Sequence, residues 1–166
     1  MRPGVAGVVV SLAALVAACQ KDLDAPLDPA ELDRPFFDCR VQPVLTQYCA
    51  ALACHGDPDR FFTLFARNRL RITGDESERN VFMRPAERDH NYNAARAFVD
   101  LANPTRSLLL RKPLDEAAGG AFHVGASLYQ AGDVFADPAD PDYQVLAQWI
   151  AGATEVPTCQ EPGSNL

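Results

Sequence analysis

The stretch FFDCRVQPVLTQYCAALACHG, residues 36–56, decides how this chain folds. Phe37, Val41, Val44, Leu45 and Tyr48 fall at i, i+4, i+7, i+8 and i+11, one stripe of a helix. Pro43 stands inside that stripe and removes a backbone donor, so the helix starts just before it or kinks there. The helix runs directly into Cys49-Ala-Ala-Leu-Ala-Cys54-His55-Gly56, where two thiols and an imidazole lie within one short segment.

Toward the C-terminus, a Gly-Asp-Pro-Asp turn is followed by the apolar run Phe61 to Phe65, which reads equally as a strand or a buried loop. Residues 66–90 are polar, rich in arginine and only weakly periodic. Asn91 to Leu101 reads as a helix with Tyr92, Ala95, Phe98 and Val99 inward. Asn103 and Pro104 form a cap and a first helical position, opening a short helix that carries Leu108 to Leu110 and must stop by Pro113. Residues 114–139 are loop-like, with four glycines. The last helix has the clearest signals. Asp140 caps it, Pro141 opens it, Asp142 favours the positive end of its dipole, and Gly152 ends it. Its inward face is Val145, Leu146, Trp149 and Ile150.

The chain has 166 residues, enough for one domain with a leader and a linker. A net charge of −7 argues against nucleic acid as a partner, because a phosphate backbone selects for excess Lys and Arg. Residues 1–18 read as a signal peptide: Arg2 is followed by the apolar stretch Gly4 to Ala18, too short to span a bilayer. That stretch ends in Val16-Ala17-Ala18-Cys19, which resembles the lipobox of bacterial lipoproteins. The resemblance implies acylation of Cys19 (palmitate among the chains) and firm membrane anchoring, since each buried CH₂ contributes about 0.8 kcal/mol. An ordinary secretory signal cut at Ala-x-Ala is the alternative. Gln20, where some bacteria read Asp as an inner-membrane signal, favours the outer membrane. Residues 19–35 then form a polar tether with too little apolar surface to offset its ordering entropy. The folded domain is expected over 36–154, with a loose tail over 155–166.

The segment from Cys49 to His55 suits covalent haem attachment. Two thiols add across two vinyl groups to form thioethers, and the histidine after the second cysteine ligates iron. Gly56 lets the backbone turn away. The usual spacing is C-x-x-C-H; here four residues separate the cysteines, which requires a small bulge. A disulfide-stabilised lipoprotein without haem, acting in binding or as a structural part, is the second reading, with Cys49 and Cys54 paired to each other or to Cys39 and Cys159. Zinc is disfavoured, because adjacent Cys54 and His55 lack a second well-spaced pair. Eleven of the fifteen basic residues lie between Arg60 and Lys112, either as a solvated face or as partners of an anionic ligand such as haem propionates. No serine elbow, phosphate loop or carboxylate pair supports an enzyme.

Three segments in order resemble planctomycete-type cytochrome c domains: F-F-x-x-x-V-Q-P-V-L-x-x-x-C with C-H-G over 36–56, NPTRSLLLRKPL over 103–114, and DYQVLAQWIAGA over 142–153. The resemblance covers residues 36–154. It implies a mainly α, small class I-like cytochrome c fold, about four short helices with long loops around one haem, and a role in electron transfer. It implies thioethers at Cys49 and Cys54 and His55 as the proximal iron ligand. Where the family commonly has a methionine in a Met-Pro-Pro loop, this chain has Ala121-Phe122-His123-Val124-Gly125, so His123 stands at the distal position. Met83 is the alternative distal ligand, and His90, in a polar context, is read as solvated. Bis-histidine ligation gives a lower potential than Met/His ligation and leaves no open iron position for substrate. Cys39 and Cys159 are left to form a disulfide, contributing roughly 3–5 kcal/mol.

Overall fold

The computed structural model describes residues 32–127 and 132–155. The expected signal peptide, Cys19, most of the tether and Cys159 lie outside the described residues. Those described are mainly helical and contain no strand; one parallel bridge pairs Leu114 with Phe135. No helix among them is long and apolar enough to cross a membrane.

The first helix, α1, is continuous over 34–49. Asp33 opens it by accepting from the Phe36 amide at 2.6 Å. Residues Arg34–Phe36 are α-helical, Phe37–Val41 widen to a π-helix, Gln42–Val44 return to α, and Leu45–Cys49 widen again. The helix therefore starts well before Pro43, and the turns around the proline change type rather than ending the helix. The Pro43 ring would press on the carbonyl four residues back, and the widened turns around it relieve that crowding. The predicted stripe faces inward as read: Phe37, Val41, Val44 and Leu45 are buried and Tyr48 packs against them.

The second helix, α2, spans Pro85–Arg96 rather than the expected 91–101. It begins six residues earlier because Pro85 occupies its first turn and Glu87 accepts from the Arg84 amide at 2.8 Å. Glu87 is fully buried, so the apolar period is broken at a position that nevertheless faces the core. Arg71 meets Glu87 side-on, Nε to Oε1 and Nη2 to Oε2, both at 2.9 Å, and also donates to the carbonyls of Glu78, Arg79, Val81 and Phe82. The arginine-rich segment is thus wound around an internal charge pair. Burial pushes the Glu87 carboxyl up, but the Arg71 hydrogen bonds and the amides of Ile72 and Arg84 outweigh it and hold the group below the usual range.

The single short helix expected after Pro104 is two pieces. A 3₁₀ turn covers Pro104–Arg106, and α3 covers Leu108–Arg111. Buried Ser107 separates them, its Oγ accepting from the Asp100 amide at 2.9 Å. Pro141–Ile150 form α4 as expected. Asp140 accepts from the amides of Asp142 and Tyr143, and Gly152 follows the helix with φ +89°. Leu146, Trp149 and Ile150 are buried with Tyr143, while Val145 is only half-buried.

Phe37 of α1 joins α2 and α4, its ring 5.3 Å from Tyr92 and 5.2 Å from Trp149. The Trp149 indole donates to the Asp33 carbonyl at 2.9 Å, and Tyr92 donates to that of Leu32. Leu32 is buried as well. Residues 32–35, expected in the tether, therefore belong to the fold, and Glu155 is tied back to Arg40 at 2.6 Å. Buried Asn91 completes the frame: its amide donates to Gln42 on α1 and to the Phe65 carbonyl, and its oxygen accepts from the Phe65 amide. The run Phe61 to Phe65 is a loop, pinned by that side chain.

Candidate functional site

The end of α1 and the loop after it assemble the first half of the site. The Ala50 amide donates to the Leu45 carbonyl, closing the helix, and the chain then folds back on itself. The His55 amide donates to the Cys49 carbonyl at 3.0 Å, while Cys54 and Gly56 both donate to the Ala51 carbonyl. The four residues between the cysteines are absorbed in this turn, so Cys49 and His55 are neighbours despite the long spacer. Gly56 is required for a reason other than left-handed geometry. A Cβ there would collide with the Ala50 carbonyl oxygen.

Cys49 and Cys54 are both free thiols. Burial above all, with Cys54 adding to it, pushes the Cys49 thiol up to about 12. Cys39 is disulfide-bonded, and neither of those two thiols is its partner. The expected partner, Cys159, lies outside the described residues.

His55 is oriented from behind. Its Nδ1 lies 2.7 Å from the Phe62 carbonyl, and the Phe62 ring packs edge-on against the imidazole at 4.7 Å. A carbonyl only accepts, so Nδ1 carries the proton and Nε2 keeps its lone pair. Burial lowers the His55 pKa, the Phe62 hydrogen bond partly offsetting it and nearby His123 and Arg60 reinforcing it. That direction favours the neutral imidazole, the form that ligates metal.

His123 arrives from the other side of the molecule. Its Nδ1 lies 3.0 Å from Asp133 Oδ1, and a carboxylate only accepts, so Nδ1 carries a proton here too. The two imidazole rings face each other with centroids 6.0 Å apart and planes only 8° from parallel. That gap is too wide for ring-to-ring packing at van der Waals contact, about 3.5–4 Å between atoms.

A cavity of ≈ 320 Å³ opens beside these rings. Leu45, Phe62, Phe98, Leu109 and Leu146 line its interior, and Cys49, His55 and His123 reach into it. A smaller cavity of ≈ 140 Å³ adjoins it and brings Cys54 alongside Cys49, His55 and His123. At the mouth stand Phe61, Leu108, Phe122 and Val124, all exposed, with Arg60 and Lys112 among them. Four exposed large apolar side chains around one cavity form the kind of patch that a ligand or partner covers.

The other predicted residues lie elsewhere. Met83 is buried but lines neither cavity. His90 is exposed, its Nε2 3.0 Å from the Thr63 carbonyl. Among the described residues no three His, Cys, Asp or Glu side chains converge as metal ligands, so the donors needed for tetrahedral zinc are not gathered. Asp133, which holds His123, went unnoticed in the sequence. It follows Gly132 in a loop-like stretch, ten residues from its histidine, a spacing that matches no recognisable motif. Comparison with known proteins finds no matching family model, curated protein or solved structure.

Proposed function

We propose that the protein is a c-type cytochrome carrying one covalent haem and transferring electrons, exported and held at a membrane through lipid on Cys19. One observation carries the reading: two parallel imidazoles with centroids 6.0 Å apart, each with Nδ1 hydrogen-bonded, beside two free thiols at two adjoining cavities. That pairing needs one histidine from each face, not a converging cluster of ligands. The fold, mainly α with four helices, is read further as a small class I-like cytochrome c fold.

Each residue then has a task. Cys49 and Cys54 hold the macrocycle as thioethers, and the turn between them sets their separation. His55 is the proximal ligand and His123 the distal one. The exposed apolar side chains Phe61, Leu108, Phe122 and Val124 at the cavity mouth would supply apolar contact to the group. Arg60 and Lys112, at the same mouth, neutralise the two carboxylates such a group carries. Bound there, the haem supplies a one-electron couple at iron, and two imidazole ligands favour a low potential. The apolar wall keeps water from the iron and holds the site in a low-dielectric setting. Cys39 with Cys159 forms the staple between α1 and the tail.

Expression with a cytochrome c maturation system tests this. The intact mass of the mature protein is expected to include one haem, acyl chains on Cys19 and two hydrogens lost to a disulfide. The visible spectrum is expected to show a Soret band that persists in denaturant. A colourless product without the haem mass overturns the reading in favour of a haem-free lipoprotein. Exchange of His123 for Met is expected to change the ligand-sensitive bands; an unchanged spectrum removes His123 from the iron.

A further inference from the structure

Behind His123 stands the carboxylate of Asp133. Its side chain is 4% exposed, among the most buried acidic groups described. Asp133 Oδ1 accepts from both His123 Nδ1 at 3.0 Å and the Val134 amide at 2.7 Å. The backbone that presents it is fixed. The Asp133 amide donates to Asp115 Oδ2, and the Leu114–Phe135 bridge closes next to it through Phe135 N to the Pro113 carbonyl at 2.9 Å and Asp115 N to the Phe135 carbonyl at 3.0 Å. Gly132, at φ +123°, leaves room for the Asp115 carboxylate, where a Cβ would collide. Gly125 leaves room for the pair itself, since a Cβ there would stand 2.9 Å from the His123 ring and 3.0 Å from Asp133 Oδ1.

The two imidazoles are therefore backed differently. His55 has a neutral carbonyl behind it, and His123 has a carboxylate. A carboxylate behind an imidazole gives the ring anionic character and makes Nε2 a stronger donor. We propose that Asp133 is the positioning residue of His123: it fixes the ring tautomer and orientation, and it makes His123 the stronger of two unequal axial donors, holding the potential of the site low. The redox part rests on the haem reading of the preceding subsection, whereas the tautomer part does not. The direction follows from charge. A buried negative group behind the ligand stabilises ferric over ferrous iron both through the ligand and through space.

The test uses D133N and D133A in the full chain, with the haem loaded and without it. Asn keeps the shape and an oxygen acceptor but removes the charge. Haem-loaded D133N is expected to keep the wild-type ligand bands while its ferric-to-ferrous equilibrium moves about tenfold toward ferrous, about 59 mV upward for one electron. D133A is expected to change the ligand bands, because the ring loses its anchor. An unchanged potential in D133N overturns the electronic role. In the haem-free protein, long-range ¹H–¹⁵N correlation spectra at pH 8 read the tautomer directly. His123 is expected to carry its proton on Nδ1 in the wild type and to shift toward Nε2 in D133A. A wild-type proton on Nε2 overturns the positioning role. Failure of haem attachment would instead defeat the proposed function, and the tautomer measurement would still decide the role of Asp133.

Discussion

His55 and His123 are separated by sixty-seven intervening residues, yet their rings lie parallel with centroids 6.0 Å apart. What makes them equivalent is the acceptor behind each ring, the Phe62 carbonyl for one and Asp133 for the other. Both histidines were legible as candidates, His55 from the cysteines before it and His123 from its place in the family resemblance, with apolar neighbours. Their second partners were not, because a hydrogen bond to a backbone carbonyl or to a distant carboxylate leaves no periodic trace. Gly56 shows a similar division. The sequence marks it as a turn residue, whereas its need is for closeness to Ala50 rather than for unusual dihedrals. Substitution G56A is expected to displace the turn that carries His55 and to cost about 1–3 kcal/mol, the usual range for forcing extra atoms into a packed site. A chemical denaturation midpoint reads this. A midpoint equal to wild type would mean that the Ala50 carbonyl moves aside without cost.

At the level of elements, α4 was read nearly to the residue, because apolar spacing and capping residues agree there, whereas α1 was legible in its inward stripe but not in its start, because Pro43 marked a break that the helix passes through. The start of α2 was missed for a specific reason. Glu87 points inward with Arg71, and a buried charge reads in a sequence like a solvated one. The eleven basic residues of that half are likewise divided: Arg71 is consumed by the fold, while Arg60 and Lys112 reach the cavity mouth. Removing one partner of such a pair strands the other, so R71M is expected to destabilise the protein by about 3–5 kcal/mol. Acidification gives a second measurement. Because the Glu87 carboxyl lies below its ordinary range in the folded state, its ion pair contributes fully above the unfolded glutamate pKa of about 4.3. That contribution is lost as the pH falls through the lowered folded value. The stability gap between wild type and E87Q, measured by urea titration, is therefore expected to be constant at neutral pH and to narrow below about pH 4. A gap that widens with acid would contradict the sign.

Over the whole molecule, the two halves of the site come from opposite ends of the folded chain, and separate devices bring them together. Asn91 pins the loop after His55 to α1 and α2. The far side is gripped by α3. Lys112 donates to the Phe122 carbonyl at 2.7 Å, the Ala121 amide donates to the Arg111 carbonyl at 2.8 Å, and the Leu114–Phe135 bridge completes the clasp. A loop fastened to a helix at its backbone cannot open unless that helix frays with it. Amide hydrogen exchange is expected to reveal this as shared kinetics, with Ala121, Asp115 and Phe135 exchanging at one rate with the Lys112 amide of α3. Independent, fast exchange at Ala121 would show the loop opening alone. The loop that carries His123 would otherwise look like the loosest part of the described chain; clasped in this way, it breathes only as often as α3 unwinds.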